Sequence, residues 1–312
     1  MSNRRIVVFG ADTKIGIATT SAVLTHDLFS EAHTIRAFSK HQSSALRRLK
    51  LQQHHKFQIF IGDPTHRESV SDAIGDSDTL ILIQNTADFG PDYISASEKE
   101  VEYARMILDE AANLSVRIII YASFAGCERD EVPHLRSKCL IEEELNRRRQ
   151  QFENISIVRS TFFYENLINT PEIETRLRIK HQLCLPLHPE TTLPVVSLVD
   201  FGRVLADVAY RPSILEQTGF FLELCAESIK CLEMAEMLSV PFVQCPDSDI
   251  SNEEFQKLYK FLRQEKIKPD LESVKKLYPN LLKFQDFVDI QKLKSSDRTQ
   301  LDLPVLEGAG IY

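Results

Sequence analysis

The first 160 residues alternate short apolar runs with longer segments of helical length. The runs rich in β-branched residues have the length of buried strands and cover residues 6–9, 34–38, 57–61, 79–83, 116–121 and 155–158. Segments long enough for crossover helices lie between them, at 15–25, 43–52, 98–112 and 137–149. Apolar strands separated by helices predict a parallel sheet buried on both faces. Because crossovers are right-handed, we expect an α/β fold with a doubly wound Rossmann sheet.

The pattern changes after residue 160, where prolines interrupt the chain before a predicted helix at 199–210 and a strand-like run at 219–224. From Ser251 onward the apolar spacing is helical, and Ser251 followed by Glu254 predicts a capping box. We therefore expect a Rossmann domain at 1–160. A smaller, mostly helical part at 161–300 would complete the cleft, and a tail would follow at 301–312.

Charge and composition restrict the classes of partner. The chain has 312 residues, 37 basic and 45 acidic, and a net charge of −8, which disfavours direct nucleic-acid binding and anionic membranes. We find no apolar run of about 18 residues, the length that spans a bilayer. The six cysteines lack the spacing of zinc ligands, so no metal site is predicted. We expect a cytoplasmic or nuclear protein with reduced cysteines.

The most informative motif follows the first predicted strand. It places a glycine-bearing turn between that strand and a helix, as a Rossmann fold does where it holds a pyrophosphate. Gly10 would allow the tight turn, and Gly16 would allow close helix packing. Thr13 stands where the usual three-glycine pattern has its middle glycine. The predicted cofactor-binding residues of this loop are Gly10, Ala11, Asp12, Thr13, Lys14, Ile15 and Gly16.

Three further predictions concern the carboxyl ends of the next strands. The second strand ends in Ser39 and Lys40 without an acidic residue, which favours NADP(H) over NAD(H) because no carboxylate repels a 2′-phosphate. Asp63 follows the third strand, where it would contact adenine or, alternatively, form a helix-capping turn. After the fourth strand, the side chains expected beside the nicotinamide ribose are Gln84, Asn85 and Thr86.

With these residues in place, the chain resembles the NmrA-like family of atypical short-chain dehydrogenase/reductases over residues 4–290. The most specific match is Arg159–Asn166, which resembles the family signature R-x-x-x-F-x-E-N. The other matching segments are 10–16, 62–63, 84–85, 121–123, 137–138, 141–143 and the helix start at Asp200. The resemblance implies a dinucleotide-binding Rossmann fold.

The resemblance also implies roles for individual residues. Residues 11–16 would wrap the pyrophosphate, and Lys40 would meet the 2′-phosphate. Asn85 and Thr86 would lie along the ribose and nicotinamide, and Lys138 would reach a ribose hydroxyl. The residues implied to close the pocket near the nicotinamide are Phe163, Tyr164, Glu165 and Asn166.

The sequence supports catalysis less clearly than it supports dinucleotide binding. A typical short-chain dehydrogenase uses a Tyr-x-x-x-Lys pair, in which the ammonium lowers the pKa of the tyrosine until it can pass a proton. Here the pair reads His134 and Lys138, the candidate catalytic residues, and Ser123 follows the fifth strand.

Two functions therefore stay open. One is a redox or dinucleotide sensor that regulates a protein partner, a function that the resemblance implies because family members act on transcription regulators. The other is an NADPH-dependent reductase of a small carbonyl or unsaturated substrate. Its proton would come from a side chain beside the proline-rich segment, for which the candidates are His181, His188 and Tyr164.

Overall fold

The structure is a computed structural model that describes residues 4–30, 33–52, 57–128, 132–169 and 171–296. In chain order its strands are β1 (Arg5–Phe9), β2 (Thr34–Ser39), β3 (Phe57–Ile61), β4 (Thr79–Leu82), β5 (Ile118–Phe124), β6 (Asn154–Ser160), β7 (Phe162–Phe163), β8 (Leu183–Leu185), β9 (Thr192–Val196), β10 (Phe221–Leu224), β11 (Glu227–Lys230) and β12 (Phe242–Gln244). Its α-helices are α1 (Lys14–Thr25), α2 (Ser44–Gln52), α3 (Arg67–Ile74), α4 (Tyr93–Asn113), α5 (Pro133–Arg147), α6 (Asn166–Asn169), α7 (Pro171–Lys180), α8 (Leu198–Tyr210), α9 (Cys231–Met237), α10 (Glu253–Leu262), α11 (Leu271–Leu277) and α12 (Phe284–Ser296).

The central sheet has seven parallel strands in the order β10-β6-β5-β4-β1-β2-β3. The chain winds outward in one direction from β1 and then in the other from β4. This arrangement confirms the predicted doubly wound Rossmann sheet. The crevice between β1 and β4, at the carboxyl ends of the strands, is the topological switch point where this fold binds ligands.

Alternate side chains of the central strands enter two separate cores. Ile6 and Val8 of β1 join the cluster that also contains Phe201 and Leu205 of α8. Val7 and Phe9 point to the opposite face and join a cluster built with α3, α4 and α5. Because both faces are covered, every residue of β4 and β5 is buried. This double burial explains the uninterrupted apolar runs in the sequence.

The chain returns to the central sheet after residue 160. β10 pairs with β6 as an edge strand, and α8 packs across α1. A third apolar cluster combines later residues with Phe124 of β5 and Leu135 of α5. Two small sheets, β11-β9-β7 and β12-β8, also lie in this later part of the chain. The described part of the region from 161 to 296 therefore contains short strands as well as helices. The predicted tail at 301–312 lies outside the described residues.

Two helix starts differ from the sequence prediction. α5 begins at Pro133 rather than at residue 137, because proline suits the first turn of a helix, where its missing N–H costs nothing. The capping box predicted at Ser251 is wrong. Asn252 caps α10 instead, and its side-chain oxygen accepts hydrogen bonds from the amides of Glu254 at 2.9 Å and Phe255 at 3.4 Å.

Among the described helices, none combines the length and the apolar character needed to cross a bilayer.

Candidate functional site

The loop after β1 is held in a shape that only glycine permits at two positions. Gly10 has φ +69°, and a Cβ there would collide with the carbonyl oxygen of Ile83. A Cβ at Gly16 would collide with the carbonyl oxygen of Gly10 and lie 2.6 Å from the Cα of Ala11. The first turn of α1 therefore lies directly against the loop, in the geometry that brings backbone amides close to a ligand.

Thr13, which replaces the middle glycine of the usual pattern, stabilises the loop through its side chain. Its hydroxyl donates to the carbonyl oxygen of Gly10 at 2.8 Å and accepts from the amide of Gly16 at 3.0 Å, so it is the N-cap of α1. The amides of Asp12, Lys14 and Ile15 have no acceptor within the described part of the chain. These three donors at a helix N-terminus fit the pyrophosphate of a dinucleotide.

Lys14 adds a positive charge to this loop. Its side chain is half-buried, and this burial lowers the pKa of the ammonium, while the carboxylates of Glu165 and Glu174 act in the opposite direction. Glu165 follows β7 and Glu174 lies in α7. Lys14 therefore sits between the loop and the later part of the chain.

At or just beyond the carboxyl ends of β2 and β3 lie Ser39, Lys40 and Asp63, the residues predicted to contact the adenosine half of a dinucleotide. Ser39 is 1% exposed, and its hydroxyl donates to the carbonyl oxygen of His41. The ammonium of Lys40 donates to the carbonyl oxygen of Asp88 at 2.6 Å. Asp63 accepts from the amide of Thr65 at 2.9 Å, which is the turn geometry of the alternative prediction for this residue.

The residues after β4 are held by α4. The side-chain amide of Gln84 donates to the carbonyl oxygen of Glu100 at 3.2 Å. Asn85 caps a short 3-10 helix by accepting from the amide of Ala87 at 3.2 Å. The hydroxyl of Thr86 donates to the carboxylate of Glu100 at 2.7 Å, and both side chains are buried. The hydroxyl of Thr86 therefore faces into the protein, and Asn85 is also buried.

Lys138 is paired with a carboxylate that the sequence analysis did not identify. Its ammonium forms an ion pair with Glu100 and donates to the carbonyl oxygen of Gln84 at 2.7 Å. Ser137 donates its hydroxyl to the same carboxylate at 2.7 Å. Both members of the ion pair are buried. The ammonium therefore lies beside the crevice, but it is strongly bound by the protein itself.

His134 is likewise paired with a buried glutamate. Its Nδ1 lies 2.9 Å from Oε1 of Glu254, and its backbone amide donates to the same oxygen at 3.1 Å. Burial alone would raise the pKa of Glu254, but the hydrogen bonds from His134 bring it below its ordinary value. The side chains are 3% and 2% exposed, so this contact joins α5 to α10 inside the protein.

Ser123 forms the third such contact. Its hydroxyl donates to Glu142 at 2.5 Å, and Arg159 holds the same carboxylate through two hydrogen bonds of 2.8 and 2.7 Å. The structure therefore pairs Ser123, His134 and Lys138 each with a separate buried glutamate. These partners lie on α5, α10 and α4, and the sequence analysis assigned none of them to these contacts.

The segment 163–166 contacts α8 through Phe163 and Glu165. Phe163 is 1% exposed and packs edge-on against Phe201 at 5.5 Å between ring centroids. Glu165 accepts from the amide of Leu198 at 3.0 and 3.1 Å, and burial raises its pKa to about 7. Asn166 is half-buried and begins α6.

The candidate proton donors lie elsewhere. Tyr164 is buried, with its hydroxyl 3.2 Å from Oε1 of Glu227 and 3.1 Å from the carbonyl oxygen of Leu282. Burial and the neighbouring Glu227 raise the pKa of this phenol far above its ordinary value. His181 and His188 are exposed. The described ranges contain no group of three His, Cys, Asp or Glu side chains arranged as metal ligands.

Sequence and structure comparisons identify the family and the fold of the protein. The sequence matches the NmrA-like family over residues 2–287, and the protein belongs to that family. Its fold is similar to the triphenylmethane reductase of Citrobacter sp., solved with NADP(H), with 16% identity, coverage of 92% of this chain and 99% of that chain, and a TM-score of 0.70.

Two other solved structures have the same fold. The negative transcriptional regulator NmrA, solved with NADP, is 14% identical, with coverage of 95% and 98% and a TM-score of 0.70. An NADPH-dependent quinone oxidoreductase of Escherichia coli is 13% identical, with coverage of 92% and 99% and a TM-score of 0.68. The similar folds thus include a regulator and reductases.

Proposed function

We propose that this NmrA-like protein binds a nicotinamide dinucleotide, NADP(H) in preference to NAD(H), and acts as a dinucleotide-dependent regulator of a protein partner. Residues 1–160 would supply most of the dinucleotide site, and residues 161–300 would complete the cleft and contact the partner. We place this activity in the cytoplasm or nucleus. Direct binding of nucleic acid has no part in the proposal, because the net charge of −8 opposes it.

The observation that carries the regulatory function is the pairing of Ser123, His134 and Lys138 with three separate buried carboxylates. A proton donor must reach the reacting atom at hydrogen-bond distance. His134 is 3% exposed and bound to Glu254, so a reaction at this histidine would have to break a buried contact. The candidate catalytic groups are therefore engaged in contacts that stabilise the fold, as Ser123, His134 and Lys138 all show.

Dinucleotide binding is supported by the loop from Gly10 to Gly16. Its free amides and the half-buried Lys14 offer donors and charge to a pyrophosphate. The solved NmrA and the triphenylmethane reductase contain NADP or NADP(H) on the same fold. Lys40 is the basis for preferring NADP(H), because it is the cation beside the end of β2.

The alternative function is reduction of a small carbonyl or unsaturated substrate with NADPH. The similar folds of a quinone oxidoreductase and a triphenylmethane reductase favour it. In that reaction the dinucleotide would supply the hydride, and residues 163–166 would position the substrate beside it. A proton would then have to come from water or from a residue other than those already paired internally.

The first experiment measures dinucleotide binding by isothermal titration calorimetry of the purified full-length protein. The chain has no tryptophan, so calorimetry or the fluorescence of the reduced nicotinamide replaces a tryptophan signal. We expect saturable binding of NADPH and NADP⁺. A protein that binds neither of these nor NADH would contradict both functions.

The second experiment separates the two functions by measuring NADPH consumption with quinones, aldehydes and enones. The regulatory function predicts no turnover. Turnover that disappears in Lys138→Ala or His134→Ala would refute it, provided that each variant keeps its cooperative thermal transition.

A third experiment tests the proposed regulatory function directly. The protein is used to recover partners from cell extract at several ratios of NADP⁺ to NADPH, and a regulator needs a partner whose recovery follows that ratio. Recovery independent of the ratio would count against it.

A further inference from the structure

A carboxylate from the phosphate loop reaches the adenosine end of the crevice. Asp12 lies between β1 and α1, yet its Oδ2 accepts a hydrogen bond of 3.0 Å from the amide of His41, two residues beyond the end of β2. In a Rossmann fold the 2′-substituent of the adenosine ribose lies at the end of this strand. No acidic residue stands at the end of β2 in the sequence, but Asp12 of the loop between β1 and α1 places a carboxylate there.

The two residues that would receive a 2′-phosphate are already engaged. The Ser39 hydroxyl donates to the carbonyl oxygen of His41 and is buried. The Lys40 ammonium donates to the carbonyl oxygen of Asp88 at 2.6 Å, which holds it beside a second carboxylate. The cation and two carboxylates thus share the end of the crevice.

The electrostatics around Asp88 show how close these groups are. Burial and the charge of Asp12 together raise the pKa of Asp88 to about 6, although Lys40 and His41 act in the opposite direction. The charge of Glu100 on α4 acts in the same direction as that of Asp12. A phosphate dianion entering this region would meet the same negative field.

We infer that Asp12 is a specificity-determining residue, which opposes the 2′-phosphate and so limits the preference for NADP(H) over NAD(H) that Lys40 provides. This inference rests on the proposed dinucleotide binding. A carboxylate at this position still accepts the ribose 2′-hydroxyl of NAD(H). The site would therefore prefer NADP(H) by a smaller factor than Lys40 alone would provide, and the balance between Asp12 and Lys40 would set the ratio of the two affinities.

The test compares the dissociation constants of NADP⁺ and NAD⁺ for the full-length protein and for Asp12→Asn. Asparagine keeps an oxygen for the His41 amide but removes the charge. We expect NADP⁺ to bind about tenfold more tightly, the size of one partly screened charge contact, while NAD⁺ changes less than about twofold. The opposite change, weaker NADP⁺ binding alone, is expected in Lys40→Met.

Asp76→Asn is the control for net charge. Asp76 is 61% exposed and pairs with Arg5 and Arg36 at the amino end of the sheet, so its loss should leave the affinity ratio unchanged. If Asp12→Asn binds both dinucleotides more tightly by the same factor, or if neither dissociation constant changes, Asp12 does not determine specificity. Either result would leave the proposed dinucleotide binding in place. Failure of the wild-type protein to bind either dinucleotide would overturn the proposed function and, with it, this inference.

Discussion

Lys138 of α5 and Glu100 of α4 form an ion pair that is closed to solvent, with side-chain exposures of 7% and 0%. Thr86 and Ser137 donate hydroxyl groups to the second oxygen of the same carboxylate, each at 2.7 Å. Glu100 therefore has the full set of partners that a buried charge needs. The ion pair ties the end of β4 to two helices beneath the proposed nicotinamide position.

Replacing Lys138 with methionine should cost more in stability than in dinucleotide affinity. The change leaves Glu100 buried without its counter-ion, which destabilises a protein by about 3 kcal/mol or more. We expect this loss in urea unfolding. The double variant Glu100→Gln, Lys138→Met should recover much of it, because no unpaired charge remains.

Lys99→Met is the control, since Lys99 is the exposed neighbour of Glu100 on α4. Its free energy of unfolding should stay close to that of the wild type. If Lys138→Met unfolds like the wild type but no longer binds dinucleotide, the main role of Lys138 is toward the cofactor.

Thr13 offers a prediction about the missing glycine of the loop. Thr13→Ala removes the N-cap of α1 and should cost about 1 kcal/mol, whereas Thr13→Ser keeps the hydroxyl and should cost less. Thr13→Gly should cost only a few tenths of a kcal/mol and leave the Gly16 amide free for a phosphate. Urea unfolding and calorimetry measure both effects. Weaker dinucleotide binding in Thr13→Gly would mean that the threonine hydroxyl itself holds the ligand.

Asp88 predicts a pH dependence of dinucleotide selectivity. Its pKa of about 6 means that it loses its charge as the pH falls from 7.5 to 5.5. That loss removes a repulsion, so the affinity for NADP⁺ should rise relative to that for NAD⁺ on acidification. Asp12, Lys40, His41 and Glu100 face this carboxyl and shape the same titration.

Asp88→Asn separates this effect from the titration of the phosphate, whose second pKa is also about 6. The variant retains the phosphate titration and loses that of Asp88. An identical pH profile in the wild type and Asp88→Asn would assign the whole dependence to the ligand or to its other neighbours.

Glu165 predicts a pH dependence of stability. Burial raises its pKa to about 7 in the folded protein, above the ordinary value of 4.5, despite hydrogen bonds from the Leu198 amide. The folded state therefore binds this proton more tightly than the unfolded chain. The stability that it contributes is present below pH 4.5 and is lost as the pH rises through about 7, by about 3 kcal/mol in total.

Glu165→Gln should remove this slope, so the variant should gain stability relative to the wild type between pH 5 and 8. Unfolding in urea at each pH measures the difference. Glu216→Gln, an exposed glutamate, is the control and should run parallel to the wild type. If the free energy of unfolding of Glu165→Gln also runs parallel to that of the wild type across this pH range, the Glu165 carboxyl ionises in the folded protein without a loss of stability.

The central sheet could be predicted from the sequence because its strands are buried on both faces. The apolar run at 6–9 corresponds to β1, and the run at 57–61 coincides with β3. Local signals of this kind need no knowledge of the distant chain. The predicted capping box at Ser251 does not form, because the side chain of Glu254 is hydrogen-bonded to His134, 120 residues earlier in the chain. Asn252 caps the helix instead.

The partners of the candidate catalytic groups could not be predicted in the same way. Glu254 gives no local sign that it meets His134, and Glu142 is separated from Ser123 by 19 residues. Glu100 does carry a signal, because it falls on the apolar face of α4 between Ala96 and Ala104. A charged residue on a buried helical face must be paired, although the sequence does not say with what.

Gly202 allows α8 to lie directly against α1. A Cβ at this glycine would come within 2.7 Å of the carbonyl carbon of Ala18 and 2.8 Å of the Thr19 amide nitrogen. During translation, α1 is made about 180 residues before α8. The side of α1 that packs on α8 therefore stays uncovered in the nascent chain until residues 198–210 have been synthesised.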